Sequence, residues 1–148
     1  MRKEIPNEIK EWAFWLSSGV LGEDSLPLCP WAKKSILEGS VCFWEEMDPL
    51  DLVPLSPEIK VGLVHLPGKS HKELIEIRNF CNSKAKEFIF LESHPKDDHL
   101  IWGLRTVSSL PLILIQRREE LEKARSYLRR GQYYSYWDSK VLEEILNI

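Results

Sequence analysis

Between Ile59 and Glu92 the hydrophobic pattern changes period twice, and this restricts the fold more than any other feature of the chain. Ile59–Leu66 (IKVGLVHL) is a short aliphatic run closed by the turn signal Pro67-Gly68, and it predicts a strand. Ser70 then stands at a helix N-cap, with Glu73 at the capping-box position. A helix is predicted from His71 to Ala85, with Leu74, Ile77 and Cys81 in its apolar stripe. Glu87–Glu92 (EFIFLE) returns to a strand pattern. Strand, helix, strand in direct succession is a βαβ unit, which predicts parallel strands and a right-handed crossover.

Two further strands are predicted at Val41–Glu45 and Pro111–Gln116. Helices are predicted over residues 4–21, from Pro30 to Leu37, over Glu119–Arg130, and from Asp138 or Ser139 to Leu146. The stretch MDPLDLVPLSPE carries Pro49, Pro54 and Pro57, so it reads as an ordered connection over the sheet edge. At 148 residues the chain is long enough for one core without staples. The expected fold is α/β: a single-domain sandwich over residues 1–148, with a four-stranded mixed sheet, one βαβ unit and flanking helices.

The net charge of −3 argues against a nucleic-acid partner, which would need a broad basic field. Arg117-Arg118 and Arg129-Arg130 alternate with glutamates and read as a solvated helix face. The three cysteines, Cys29, Cys42 and Cys81, are odd in number and not closely paired, which fits reduced thiols in a cytoplasmic protein. Glu4, Glu8, Lys10 and Glu11 interrupt what would be the apolar part of a signal peptide. No run approaches the ~20 apolar residues of a membrane helix, so no membrane partner is expected.

Candidate chemistry gathers around the polar connection between the last two strands, which begins at His94-Pro95 and carries Asp97, Asp98, His99, Arg105, Ser108 and Ser109. If the strands of the βαβ unit are parallel, His65 and His94 sit at the same sheet edge, where open α/β sheets bind ligands. Cys29 precedes Pro30 at a predicted helix start, where backbone amides can lower a thiol pKa, so Cys29 with His65 or His94 is a candidate catalytic set. Arg105, Ser70, Ser108 and Ser109 are candidate anion-binding groups. His65, His94 and His99, with Asp97 or Asp98, are residue types that suit zinc or iron. Their spacing matches no standard metal motif, so no metal set and no cofactor is assigned.

Several of these segments resemble a bacterial family known as domain of unknown function 1415. Leu28-Cys29-Pro30-Trp31-Ala32 is similar to its Leu-Cys-Pro-Phe-Ala segment, and Ser93-His94-Pro95 to its Phe-His-Pro strand end. Val64-His65 resembles its His-Pro strand end, although Leu66 here separates the histidine from Pro67. Arg105, Ser108, Ser109 and Pro111 resemble its Asn-Arg-Ser-Pro loop, and Leu114–Glu119 its last strand. The family brings no established reaction. The resemblance implies that Cys29, His65, His94 and Arg105 come together.

The expected function is therefore a small cytoplasmic protein with a Cys/His/Arg pocket for a small anionic molecule, with catalysis left open. The alternative is a non-enzymatic interaction protein whose Trp- and Tyr-rich surfaces, including Trp12, Trp15 and Trp137, bind a partner or form a homodimer.

Overall fold

A computed structural model describes residues 2–21, 26–27, 29–98, 100–101, 104–129 and 143. In chain order the elements are β1 (Arg2–Lys3), α1 (Asn7–Leu16), β2 (Gly19–Leu21), β3 (Leu26–Pro27), α2 (Ala32–Leu37), β4 (Val41–Glu45), a 3-10 turn at Pro49–Leu52, β5 (Val61–His65), α3 (His71–Lys84), β6 (Phe88–Ser93), β7 (Leu100–Ile101), β8 (Leu104–Arg105), β9 (Leu112–Arg117) and α4 (Arg118–Arg129). Of the helix predicted to end at Leu146 only Glu143 is described, and the segment with Trp137 lies outside the described residues.

The fold is α/β, with helices on both faces of a mixed sheet in the order β1-β4-β5-β9-β6. The sheet has five strands rather than four. Arg2 and Lys3 pair antiparallel with Trp44 and Phe43 and add an edge. A two-residue strand has no periodicity, so no sequence pattern marks it.

The βαβ unit is split. β5 and β6 both pair antiparallel with β9, which lies between them, so they run in the same direction without touching. α3 crosses from one to the other and packs on the face that carries Val64, Ile113, Ile115, Phe88 and Phe90. α1 and α2 cover the opposite face, where Ile9 meets Phe43, Leu63 and Leu112. The alternation along β4 separates these layers, with Cys42 in the first and Val41 and Phe43 in the second. Phe43, Phe90, Ile9 and Leu74 are almost fully buried, and each such side chain contributes about 1.5–3 kcal/mol.

The proline-rich stretch after β4 is built into the first core. Leu50, Leu52, Val53 and Leu55 all pack there. Arg117 holds the end of this stretch by donating to the carbonyls of Leu55, Ser56 and Ile59, at 2.7–3.0 Å. Arg118 likewise donates to the Lys86 carbonyl. This pair clamps backbone carbonyls rather than lying on a solvated face.

α3 starts as its sequence requires. Ser70 Oγ accepts from the Glu73 amide and Glu73 Oε1 accepts from the Ser70 amide, both at 3.1 Å. α3 also covers the free edge of β6: the Asn82 amide group exchanges hydrogen bonds with Phe90 N–H and C=O at 2.8 and 2.9 Å. No helix among the described residues is long and apolar enough to cross a membrane.

Candidate functional site

His71, Glu92 and Asp97 converge where the capped start of α3 meets the end of β6. Each comes from a different element. The Ser70 cap makes His71 the first residue of α3. Glu92 continues the face of β6 that carries Phe88 and Phe90, so it points under α3. Asp97 is returned to the same place by a turn in which its amide donates to the His94 carbonyl at 3.0 Å, with Pro95 second in the turn.

His71 Nε2 lies 3.0 Å from Glu92 Oε2 and 3.6 Å from Asp97 Oδ2. One ligand atom from each of the three residues lies within 4.8 Å of the other two. A single imidazole N–H cannot donate fully to two carboxylates at once. Arg78, about two turns further along α3, places Nη1 2.6 Å from Glu92 Oε1. Arg78 is buried and Glu92 largely so, with side chains 7% and 11% exposed. Burial pushes the Glu92 carboxyl up, ahead of the opposing pull of Arg78 and His71, and Asp97 adds to the rise. The carboxylates also lie near the positive end of the α3 dipole, which favours them there.

His94 stands behind His71, with ring centroids 5.9 Å apart. Its hydrogen bonds fix its tautomer. Lys96 N–H can only donate, so Nδ1 accepts at 3.0 Å; the Lys69 carbonyl can only accept, so Nε2 carries the proton and donates at 2.8 Å. Both ring nitrogens are used by backbone, and His94 is left as a support for His71.

The structure does not bring Cys29, His65, His94 and Arg105 together. His65 shares the face of Leu63, and its ring lies 6.2 Å from that of Phe43 on the α1 side of the sheet. His94 packs on His71, on the α3 side. The two histidines reach the same edge, but strand alternation sends them to opposite faces. Cys29 belongs to the α1 side as well: its N–H donates to the Leu16 carbonyl at 2.7 Å, and its carbonyl accepts from Ser17 Oγ at 2.8 Å. α2 begins only at Ala32, so Cys29 is not its cap. Burial pushes the Cys29 thiol up, ahead of the Trp31 and Ala32 amides that pull it down. Arg105 is exposed on the β7–β8 hairpin.

The expected anion-binding serines are engaged in structure. Ser70 is the α3 cap. Ser108 Oγ donates to the Leu110 carbonyl at 2.6 Å and lies 2.9 Å from Ser93 Oγ. Ser109 Oγ donates to Glu8 Oε2 at 3.0 Å. Trp12 is also bound inward, its indole N–H donating to the Thr106 carbonyl at 2.9 Å. His99 lies outside the described residues, and Asp98 is exposed.

The sequence does contain a signal for the site that forms. Glu92 is a charged residue at a core-facing position of an otherwise apolar strand, and such a residue requires a partner. His71 follows an N-cap directly, which places it at the sheet edge. Comparison with family models, with curated proteins and with solved structures finds no match for this chain.

Proposed function

We propose that the protein binds a divalent transition-metal ion, zinc by donor chemistry, through His71 Nε2 and the carboxylates of Glu92 and Asp97, and that the metal binds a small oxyanion. One observation carries this reading: a single imidazole nitrogen faces two carboxylate oxygens at 3.0 and 3.6 Å. Ligands of a tetrahedral zinc, each about 2.1 Å from it, lie about 3.4 Å apart. A cation at the centre could take one ligand atom from each of the three residues, which lie within 4.8 Å of one another.

The surroundings support the same reading. Metal ligands are normally held by outer partners. Arg78 holds Glu92 from its other oxygen, and His94 backs the His71 ring. Three protein ligands would leave a coordination position open, the arrangement that allows Lewis-acid chemistry. The small anionic molecule then binds the metal rather than Arg105 and the serines. The likeness of Ser93-His94-Pro95 to the bacterial family belongs to this proposal, since that segment supports His71 and forms the turn to Asp97.

The test is zinc titration of untagged, chelator-treated protein by calorimetry and thermal unfolding. One equivalent should bind and raise the Tm, as a ligand of the native state must. His71→Ala and Asp97→Ala should each abolish the shift. Acetohydroxamate, an oxygen chelator, should raise the Tm further only when zinc is present. Absence of zinc binding would leave the cluster as an ion-pair network and end the proposal.

A further inference from the structure

On the other flank of α3 runs an open groove of about 710 Å³. One wall is α3, through Glu73, Glu76, Ile77 and Phe80; the other is the segment from Glu46 to Pro49 that leaves β4. The floor is apolar and continuous with the core, since Met47, Leu66 and Ile77 all pack against it. At the lip Phe80 is 57% exposed, one of few large apolar side chains in that condition among the described residues.

The rim is mainly acidic, although the Lys84 ammonium sits over the Phe80 ring, 5.4 Å from its centroid. Glu73 and Glu76 stand on the helix wall, and Glu46 and Asp48 on the facing wall. Lys69 is the single basic residue of the lining, and its ammonium lies 3.8 Å from Glu73. An anionic ligand would meet repulsion from both walls, whereas a cationic one would be attracted from both.

We propose that this groove docks a basic amphipathic helix of a partner protein. The dimensions match. The lining residues from Glu73 to Cys81 span eight helical rises of α3, about 12 Å. Apolar anchors at i, i+3 or i+4, and i+7 of a docked helix span about 10.5 Å. Carboxylates on both walls suit lysines or arginines on both sides of such an apolar stripe. The walls are a helix and a segment entering a 3-10 turn, so they offer no strand edge to an extended peptide. The groove is separate from His71, Glu92 and Asp97, so this assignment does not depend on metal binding.

The probe is a fluorescein-labelled leucine–lysine peptide with leucine at the anchor positions, followed by anisotropy. It should bind, and added salt should weaken it. Glu76→Lys and Phe80→Ala change exposed side chains, and each should weaken binding at least tenfold. A peptide with glutamate in place of lysine should not bind, nor should a scrambled peptide of the same charge. His71→Ala should leave peptide affinity unchanged. Equal binding of the scrambled peptide, or unchanged affinity in both groove variants, would overturn the proposal. So would a dimer of the protein alone that Phe80→Ala dissolves, which would assign the groove to a second copy. Binding of spermine at the groove without the peptide would assign it to a small cation and overturn the proposal equally.

Discussion

Arg78 Nη1 and Glu92 Oε1 lie 2.6 Å apart across the seam between α3 and β6. They join the middle of the helix to the end of the edge strand, on the face that carries the larger core. Removing the water around two charges is costly, and the pair recovers this only while both members are present. Arg78→Met should therefore destabilise the protein by about 3–5 kcal/mol, because Glu92 would stay buried with one cationic partner fewer. The double variant Arg78→Met/Glu92→Gln should recover a large part of that loss in urea unfolding. A single variant within about 0.5 kcal/mol of wild type would show that the pair contributes no stability.

The same seam marks how far the sequence could be read. β4, α3 and the Ser70 cap were legible, because a strand of consecutive β formers, an apolar stripe and a capping box are local signals. The α/β class followed from the succession of strand, helix and strand. The position of β9 was not legible, since nothing in Leu112–Arg117 states that it inserts between β5 and β6. That insertion depends on all three strands together. His65 and His94 illustrate the site equivalently. Their common edge followed from strand direction, but their faces depend on register, and one residue of register reverses a face. Glu92 was within reach, because a carboxylate on a core-facing position has to be answered by something. Its partners Arg78 and His71 lie on the crossover helix and are not recognisable by spacing.

Glu92 also gives a pH prediction. Its folded-state pKa is raised above the ordinary value of 4.5, with burial the largest cause. Between the unfolded and the folded pKa the native state then holds more protons than the unfolded state. The unfolding free energy must fall with rising pH across that window. The contribution of Glu92 is fully present below about 4.5 and lost as the pH rises through its folded value. Glu92→Gln removes this titration. The stability of wild type minus that of Glu92→Gln should decline from pH 4 upward and then level off, as measured by urea unfolding at a series of pH values. A difference that rises with pH would contradict the assignment.

The three thiols should all react slowly at neutral pH. Burial pushes Cys29 and Cys42 up and pushes Cys81 to about 11, with Asp48 adding to the rise at Cys81. Against an ordinary value of 9.0, a thiol at about 11 holds roughly 100-fold less thiolate at neutral pH. Timed alkylation read by mass spectrometry should find Cys29 slower than free glutathione, and Cys81 slower still. A Cys29 rate above that of glutathione would restore the activated-thiol reading for the segment ahead of α2.

His94 separates a supporting role from a ligand or catalytic one. Its two nitrogens join the Lys69 carbonyl to the Lys96 amide, so it ties the entry of α3 to the turn that carries Asp97. His94→Phe keeps a ring against His71 but removes both hydrogen bonds. The loss of partners for buried polar groups should cost about 1–3 kcal/mol. If zinc binds His71, Glu92 and Asp97, loosening an outer support should weaken it by about 10–100-fold while leaving one site per chain. Calorimetry distinguishes this from direct ligation, in which His94→Phe would abolish the site as His71→Ala does. Unchanged zinc affinity in His94→Phe would show instead that the ring contact, rather than the two hydrogen bonds, orients His71.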